Sequence, residues 1–473
     1  MSERSDVVVV GGGVVGACVT QALAARGAAV TLLEREPEVC PPASAVYANC
    51  GLLVPSEVEP LAHPGALGQG LRWLLDGSSP FYVKPRASLI LARWLWLFRR
   101  ACAPEVARAH APLLHKLGEV SAALHDELAA GRAAESDGRG GGSDGRREGG
   151  GRSREGGARS REGGDGGAAH DSADWHYHRN GWLFVYETVA GMAAAEAAAV
   201  ETRALGVAVE TLTADEVRER APQVRPGSVA GGVLTPDDGH MDPAAFTRAM
   251  VARARRDGAT VVTGAEVYGF ETGGGRAAGA RRERAGGGHV RAVRTTRGVF
   301  AAGQVVVAAG AWTPLLLREL GLRLPIEPAK GYSIDVARPE GTSELPLCVG
   351  EAHVVLTPLG DALRLGSTLE LAGWDMRLRP RRLAGLRRAA ARVVGLPEDG
   401  PVRQVWRGPR PLTPDGLPVI GRTPRHPNLV LATGHCMLGL SLGPVTGRLV
   451  AEMCAGEAPS LDIAALAPSR FGL

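Results

Sequence analysis

The fold is decided by residues 7–34, which read VVVVGGGVVGACVTQALAARGAAVTLLE. Four consecutive valines, Val7–Val10, predict a parallel strand that is buried on both faces. Gly11, Gly13 and Gly16 then fit the G-x-G-x-x-G spacing between that strand and a helix. These glycines would allow, in order, a tight turn, the approach of a pyrophosphate to the backbone, and close packing of the helix on the strand. The stretch therefore predicts a βαβ dinucleotide-binding unit.

The residues beside the glycines support the same interpretation. Val14 and Val15 begin the helix, and their backbone N–H groups would face the phosphates. Glu34 ends the second strand, close to the spacing of about 20 residues expected for the acid that binds the ribose hydroxyls. Arg35 follows it directly. An acid at this position disfavours a 2′-phosphate, but the motif alone leaves FAD and NAD open.

Length and composition narrow the class of protein. A chain of 473 residues is too long for one simple core and predicts two packed lobes. The formal net charge is only +4, and no basic stripe is interleaved with aromatic residues, so we expect no nucleic-acid binding. The seven cysteines are widely spread without a C-x-x-C pair, which argues against a zinc site or a disulfide framework. We therefore expect no metal site.

Several elements can be placed along the chain from their hydrophobic pattern. Helices are predicted over Glu105–Ala130, Val189–Ala204 and Pro243–Arg256, and strands over Val290–Thr295 and Val305–Ala309. The βα pattern opens and closes the chain, with antiparallel-looking material between. This order predicts an α/β fold: a Rossmann-like dinucleotide-binding domain with an inserted α+β substrate domain that contains a mixed or antiparallel sheet.

The predicted domains are discontinuous. The dinucleotide-binding domain takes residues 1–60, 241–315 and 411–473, and the substrate domain takes 61–131, 174–240 and 316–410. Between them, residues 132–173 consist mainly of Gly, Arg, Glu, Ser and Asp. So few apolar side chains cannot offset the entropy of ordering a backbone, which predicts a disordered insertion.

Five further segments carry a resemblance to a known family. Tyr47–Leu53 (YANCGLL) resembles the N-A-G loop of the D-amino-acid oxidase superfamily, and Val305–Trp312 (VVVAAGAW) is similar to its second flavin-contacting strand and turn. Pro328–Ser333 (PAKGYS), Arg410–Gly421 (RPLTPDGLPVIG) and Gly434–Gly439 (GHCMLG) resemble the bacterial D-amino-acid dehydrogenase branch. The resemblance implies that the cofactor is FAD.

The glycine motif and the resemblance together give a set of expected FAD-binding residues. They are Gly11, Gly13, Val14, Val15, Gly16, Glu34, Arg35, Asn49, Gly51, Leu52, Val267, Ala309, Gly310, Trp312, Gly421, Gly434, Met437, Leu438, Gly439, Leu440 and Ser441. The loop 434–443 could also direct backbone N–H groups of Leu438 to Leu442 at the flavin. Cys50 and Cys436 stand where the family usually carries a smaller residue, and we interpret them as small buried thiols.

The resemblance also implies roles at a substrate site. Arg410, in the run Gly408–Pro411, matches the family's carboxylate-binding arginine, and arginine binds a carboxylate bidentately. Tyr332 would give the carboxylate a second hydrogen bond. Lys330 would lie near the reacting edge of the flavin or pair with an acid. His435 would act as a base or as a structural hydrogen bonder. Two weaker candidates for the pocket wall are Tyr47 and His63.

The resemblance implies an enzyme that oxidises the amine-bearing carbon of D-amino acids. Hydride would pass from the α-carbon to the flavin, and the imine would hydrolyse to a 2-oxo acid and ammonia. The protein would mainly position the reactants, so no catalytic triad or metal is needed. The alternatives are a related flavoprotein for secondary amines (D-hydroxyproline, sarcosine or glycine), an NAD-linked dehydrogenase, and a non-enzymatic subunit with structural FAD.

The dehydrogenase branch implies a quinone or another electron-transfer acceptor rather than oxygen. Residues 89–98, LILARWLWLF, are too short to span a membrane and contain Arg93. We interpret them as a buried helix face, with shallow membrane docking beside Arg99 and Arg100 as the alternative. The sequence does not begin with a recognisable secretion signal, so we expect a cytoplasmic protein. The alternative is a cytoplasmic protein in peripheral contact with the inner face of the plasma membrane.

Overall fold

The structure is a computed structural model that describes residues 5–57, 61–66, 68, 81–137, 175–273 and 288–473, with the backbone alone for 132–137. Its strands are β1 (Ser5–Val10), β2 (Val30–Leu33), β3 (Leu52–Leu53), β4 (Phe81–Val83), β5 (Trp182–Tyr186), β6 (Glu210–Thr213), β7 (Gly231–Thr235), β8 (Gly239–His240), β9 (Thr260–Val262), β10 (Val267–Thr272), β11 (Val290–Thr295), β12 (Gly298–Val307), β13 (Glu327–Ala337), β14 (Leu347–Val349), β15 (Val354–Leu359), β16 (Ala362–Leu371), β17 (Val402–Leu412), β18 (Val419–Thr423) and β19 (His426–Thr433).

The helices come from both the ends and the middle of the chain. They are α1 (Val14–Ala24), α2 (Leu89–Ala101), α3 (Pro104–Asp137), α4 (Val189–Ala204), α5 (Ala214–Arg220), α6 (Pro243–Arg256), α7 (Thr313–Leu317), α8 (Pro380–Val394) and α9 (Gly443–Ala455). Short 3-10 helices occupy Gly310–Trp312, Arg318–Leu320, Ala464–Leu466 and Pro468–Phe471. Among these described helices, none combines the length and the apolar character needed to cross a bilayer.

The first sheet has a parallel core in the order β19-β12-β1-β2-β9. Strand β1 lies between two parallel neighbours, with Val7–Val10 paired to Gln304–Val307 on one side and to Val30–Leu33 on the other. This double pairing explains the run of four buried valines. Strands β10 and β11 form an antiparallel meander with the start of β12, and β18 pairs antiparallel with β19.

The second sheet has the order β17-β13-β16-β15-β14-β5-β7-β6, with β4 added beside β16. Most of its pairs are antiparallel, but β14–β5 and β16–β4 are parallel, so the sheet is mixed. Helix α8 covers one face, where Leu386 and Val393 join the same core as Ile334 and Leu356. The predicted fold class is confirmed: a Rossmann-like sheet carries a second domain with a mixed sheet.

The long helix α3 corrects two predictions. The predicted segment 61–131 assigns it to the substrate domain, but Leu114 and Leu117 are buried in the core of the first sheet, beside Leu449 of α9. Its apolar face therefore packs against the dinucleotide-binding side. The helix also continues to Asp137, inside the stretch predicted to be a disordered insertion from residue 132. The remainder of that predicted insertion, 138–173, lies outside the described residues.

Candidate active site

A cavity of about 800 Å³ lies between the two sheets. Its walls include Gly11 and Gly13 from the first sheet's glycine loop, and Thr368 and Arg410 from the second sheet. This volume is within the range of sites for cofactors and small molecules, about 300–1,000 Å³. Residues from both ends of the sequence therefore meet at one cleft, as the discontinuous domain organisation requires.

The glycine loop leaves backbone open to this cleft. Gly11 has φ +107°, and a Cβ added there would lie 2.7 Å from the Ala308 oxygen. A Cβ on Gly16 would lie 1.8 Å from the Gly11 oxygen, so this glycine lets α1 pack against the strand. At Gly13, by contrast, a Cβ would meet only the Ser44 Oγ, at 3.8 Å, because the residue faces the open cavity. Helix α1 begins there without a side-chain cap, which leaves its first N–H groups for a phosphate.

Glu34 is held firmly at the wall of the cleft. Its Oε2 accepts from the Gly12 N–H at 2.7 Å, and its Oε1 accepts from the Glu36 N–H at 2.9 Å. Burial raises the pKa of Glu34, and these two backbone hydrogen bonds act in the opposite direction. The backbone N–H groups of Gly12 and Glu36 thus fix the orientation of the Glu34 carboxyl group.

Arg35 and Trp312 join the two domains beside Glu34. The Arg35 guanidinium lies 4.9 Å from the centre of the Trp312 ring, which in turn lies 5.2 Å from the ring of Trp374. Trp374 follows β16 of the second sheet, whereas Trp312 belongs to the first domain. Of these three residues, Arg35 and Trp312 line the cavity.

The loop after β19 and the segment around residue 50 line the opposite wall. Gly51 has φ +68°, and a Cβ there would lie 2.2 Å from the Met241 oxygen. The N–H of Gly51 donates to Asn49 Oδ1 at 2.8 Å, which shapes this turn. The expected FAD-binding residues that line the cavity are Gly11, Gly13, Val14, Val15, Glu34, Arg35, Asn49, Gly51, Leu52, Val267, Ala309, Gly310, Trp312, Gly434, Met437, Leu438, Gly439 and Leu440.

Three expected FAD-binding residues lie behind the wall. Gly16 packs α1 on its strand, as described above. At Gly421 a Cβ would lie 2.9 Å from Pro468 Cδ, so this residue serves packing at the edge of the first sheet. Ser441 Oγ accepts from the Val54 N–H at 3.1 Å, which ties two loops together. The cavity walls do not include these three residues, and direct cofactor contact stays a prediction for them.

The backbone donors expected from the loop before α9 are also fewer than predicted. The Leu438 N–H donates to the His435 oxygen, and the Leu442 N–H donates to the Leu438 oxygen, each at 2.8 Å. These two donors are used inside the turn. Of the predicted donors, Gly439 and Leu440 line the cavity, and their N–H groups remain the candidates for contact with a ligand.

Arg410 lies on the cavity wall, and its side chain is partly buried. One of its terminal nitrogens donates to the Thr368 oxygen at 2.7 Å. Among the described residues it has no carboxylate partner, and burial lowers the pKa of Arg410. Because a guanidinium carries five N–H donors, the remaining ones are suited to a bound anion. Gly331, directly beside it, makes this placement possible, since a Cβ there would lie 2.1 Å from the guanidinium.

Lys330 and Tyr332 do not line the cavity, so the structure does not place the Tyr332 hydroxyl at the predicted carboxylate contact. The Tyr332 hydroxyl donates to Glu370 Oε1 at 2.9 Å, and Lys330 Nζ lies 3.2 Å from Glu370 Oε2. Lys330 also donates to the carbonyl oxygens of Asp375 and Arg377. The two side chains are two residues apart on β13 and so share one face of the strand. That face holds the buried carboxylate, and Lys330 therefore pairs with an acid, as one of its two interpretations expected.

His435 lines the cleft, and its ring makes a structural hydrogen bond. Its Nε2 lies 2.9 Å from the Thr446 Oγ1, and that hydroxyl donates to the Leu442 oxygen at 2.7 Å. The Nε2–H must therefore be the donor. Burial lowers the pKa of His435 to about 3, so the ring is neutral. Of the weaker candidates, His63 lines the cavity, whereas Tyr47 packs against the core of the first domain.

Sequence reasoning missed Thr368, which lines the cleft beside Arg410. It has φ +74°, its carbonyl oxygen binds Arg410, and its hydroxyl is buried without a partner among the described residues. A positive φ is a genuine outlier for a β-branched residue. The Gly-Ser-Thr run offers no sequence signal for this conformation, since threonine normally avoids it. Apolar residues that the sequence also left unassigned line the same cavity: Leu61, Phe81, Phe98, Val355 and Leu369.

Cys436 is a buried thiol, as interpreted, whereas Cys50 is only partly buried. Both line the cleft, and all seven cysteines are free. Burial raises the pKa of both thiols, in Cys436 to about 11, so both are protonated at neutral pH.

Comparisons with known proteins identify the family. The family model of FAD dependent oxidoreductases (DAO) matches residues 6–453. The chain belongs to this family. It is 31% identical over 468 residues to a D-amino acid dehydrogenase of Methylobacterium nodulans and 29% identical over 469 residues to one of Granulibacter bethesdensis, with 98% of this chain and 99% of each relative covered.

Solved structures show the same fold. A glycine oxidase from Geobacillus kaustophilus superposes with a TM-score of 0.71 at 23% identity, covering 98% of both chains. An L-proline dehydrogenase from P. horikoshii gives 0.69 at 19% identity, covering 100% of this chain and 98% of its own. The family match decides between FAD and NAD, and the protein is an FAD-dependent oxidoreductase.

The residues of the cleft fit FAD. The open face of Gly13 and the uncapped start of α1 suit a pyrophosphate, and the anchored Glu34 suits ribose hydroxyls. Val14 and Val15 would supply the N–H groups there, with Asn49–Leu52 and Gly434–Leu440 forming the walls on the other side. A bound FAD would supply hydride acceptance from the substrate carbon.

Proposed function

We propose that this enzyme oxidises the amine-bearing carbon of D-amino acids to an imine, which water hydrolyses to a 2-oxo acid and ammonia. The observation that carries the proposal is Arg410, a partly buried guanidinium on the cavity wall with no carboxylate partner among the described residues. A cation with unused donors in a partly desolvated cleft is well placed to bind an anion. The curated relatives named D-amino acid dehydrogenase support the choice of substrate class.

The protein's own residues do the work of orientation in this proposal. Arg410 holds the substrate carboxylate, which fixes the direction of the α-carbon. Apolar walls that include Phe81, Phe98 and Leu369 exclude water and favour the neutral amine over the ammonium form. His435 is neutral and holds Thr446, so no side-chain base at this position takes part.

A substrate panel tests the proposal and separates it from its alternative. The purified holoenzyme is mixed without oxygen with D- and L-amino acids, glycine, sarcosine and D-hydroxyproline, and the flavin absorbance near 450 nm is followed. We expect D-amino acids to bleach it fastest. Bleaching by L-isomers alone would refute the stereochemical assignment, and bleaching by secondary amines alone would favour the secondary-amine alternative.

Arg410→Lys tests the observation that carries the proposal. Lysine keeps the charge but loses the bidentate fork, so we expect KM for D-amino acids to rise by about tenfold or more. FAD content should not change. Arg403→Lys is the matched control, because Arg403 lies on the same strand and pairs with Asp361 at the surface. Equal KM values in the two variants would remove Arg410 from the substrate site.

The electron acceptor in this proposal is a membrane quinone, reached by docking through helix α2. The sequence analysis interpreted residues 89–98 as a buried helix face. In helix α2, however, only Leu91, Trp94 and Ala101 are buried. The exposed side carries large apolar residues, and Leu89 is 91% exposed and Trp96 54% exposed. Phe98 of the same helix lines the cavity, so the exposed surface lies next to the substrate side of the cleft.

The charge of this helix supports an anionic lipid surface. Arg93, Arg99 and Arg100 are exposed, and Leu89–Ala101 contains no acidic residue. An amphipathic helix of this kind lies in the headgroup region with its apolar side chains inserted. The Arg100 guanidinium lies 4.8 Å from the centre of the Trp96 ring, so apolar and basic contacts would be made together.

Vesicle sedimentation tests the docking. We expect binding to vesicles that contain phosphatidylglycerol, weaker binding to neutral phosphatidylcholine, and a clear loss of binding in Trp96→Ser. The control is Val200→Ser, which removes an apolar side chain that is 64% exposed on α4. Equal sedimentation of both variants, or turnover with oxygen as fast as with a quinone in the vesicles, would refute this part of the proposal.

A further inference from the structure

We propose that Thr368 is the second polar anchor for the substrate carboxylate, beside Arg410. The inference rests on the proposed function, because it takes an amino-acid carboxylate as the ligand. It assigns to Thr368 the second hydrogen bond that sequence reasoning expected from Tyr332, whose hydroxyl is bound to Glu370 instead.

A local irregularity of the second sheet brings Thr368 to the cleft. Lys330 pairs with Glu370 and Tyr332 pairs with Ser367, so that Gly331 alone lies opposite Thr368 and Leu369. Two residues opposite one form a β-bulge, a device that re-aims side chains and is frequent next to active sites. The bulge gives Thr368 its φ of +74°. Backbone strain of this kind persists only where the surroundings enforce it, and it concentrates at functional sites.

The bulge has two consequences for Arg410. The Thr368 carbonyl oxygen accepts from the guanidinium at 2.7 Å, which fixes the orientation of the remaining donors. The missing side chain of Gly331 leaves the space that the guanidinium fills. Thr368 and Arg410 thus form one unit, held by a backbone contact that a change of the Thr368 side chain does not remove.

These contacts account for the Thr368 backbone but leave its hydroxyl group without a role. The residue is 9% exposed, its Oγ1 is buried, and this oxygen has no hydrogen-bond partner among the described residues. Thr368 is also one of the residues that line the cavity. An unpaired buried hydroxyl is unfavourable, and a carboxylate held by Arg410 would give it an acceptor. The ligand chemistry that satisfies both groups is a carboxylate.

Two small ligands test this inference on the holoenzyme by calorimetry. 2-Aminoisobutyrate has no hydrogen on its α-carbon, so it binds without being oxidised, and 2-amino-2-methylpropan-1-ol is its counterpart without a carboxylate. Thr368→Val keeps the shape and the backbone but removes the hydroxyl. We expect it to weaken binding of 2-aminoisobutyrate by about tenfold, with no change for the amino alcohol. Thr368→Ser should restore wild-type binding.

Kinetics and a control complete the test. Thr368→Val should raise KM for D-alanine with little change in kcat, and Thr272→Val, at an exposed position of β10, should change neither. Unchanged 2-aminoisobutyrate binding in Thr368→Val, or equal weakening of both ligands, would overturn the inference. Wild-type protein whose flavin no D-amino acid bleaches would instead refute the proposed function itself.

Discussion

Gly16→Ala is the perturbation whose effect follows most directly from the structure. The added Cβ would lie 1.8 Å from the Gly11 oxygen, about 1.6 Å short of ordinary van der Waals contact. That oxygen belongs to the backbone of the glycine turn after β1, so no side-chain rotation can relieve the clash. Either α1 or the turn must move, and both form the wall where the cofactor pyrophosphate is expected.

The magnitude follows from two opposing effects. Alanine in place of glycine inside a helix stabilises by roughly 0.5–1 kcal/mol. Overpacking of a rigid core typically costs about 1–3 kcal/mol, and a backbone obstacle places this site near the upper value. We therefore expect a net loss of roughly 2 kcal/mol in the free energy of unfolding. FAD retention should fall as well, because the start of α1 is displaced.

Gly385→Ala is the matched control for this experiment. It makes the same substitution inside α8, where a Cβ would have nothing within 4 Å, so we expect a gain of about 0.5–1 kcal/mol. Urea unfolding of the apoprotein measures stability, and FAD content after gel filtration measures retention. Equal urea midpoints for the two variants, or full FAD retention by Gly16→Ala, would refute the reasoning.

Three further predictions concern buried polar groups. Tyr332→Phe should leave KM for D-amino acids unchanged and lower the unfolding free energy by about 1 kcal/mol, because the lost hydrogen bond goes to Glu370; a KM rise would return Tyr332 to the site. Burial lowers the pKa of His435 from 6.5 to about 3, so its contribution to stability is present above pH 6.5 and is lost as the pH falls toward 3. The stability lost by pH 5 is about 2 kcal/mol, and denaturation of wild type and His435→Gln at several pH values should show the smaller pH dependence in the variant. Burial raises the pKa of Asp238 from 3.8 to about 6, so wild type should lose roughly 2 kcal/mol relative to Asp238→Asn as the pH rises from 4 to 6; parallel curves would contradict this.

The local sequence pattern predicted the bounds of several helices and strands correctly. Helices Val189–Ala204 and Pro243–Arg256 and strand Val290–Thr295 have the predicted bounds. Thr188 caps the N-terminus of Val189–Ala204, and Asp242 caps that of Pro243–Arg256. Capping residues of this kind mark the start of a helix in the sequence. Strand β12, by contrast, begins at Gly298, well before the predicted Val305, because its first part pairs in the antiparallel meander.

Side-chain direction and domain membership were harder to predict. Arg410 was singled out because the run Gly408–Pro411 resembles the family's carboxylate-binding motif, and the structure places it on the cavity wall. Lys330 and Tyr332 lie in an equally recognisable motif, but a strand has two faces, and only the tertiary structure shows that theirs holds Glu370. The position of α3 depends on which core its apolar face meets, and its amino-acid pattern does not encode that partner. The bulge at Thr368 is likewise invisible in sequence.

The order of strands in the first sheet has a consequence for biosynthesis. Strand β1 needs β12 as its neighbour, and β12 needs β19, so residues about three hundred positions apart and the last tenth of the chain must meet before this sheet is complete. A chain still emerging from the ribosome therefore cannot close its cofactor site until translation is almost finished. Loss of even a short C-terminal piece that includes β19 would leave an N-terminal glycine loop intact in sequence but unable to retain the nucleotide.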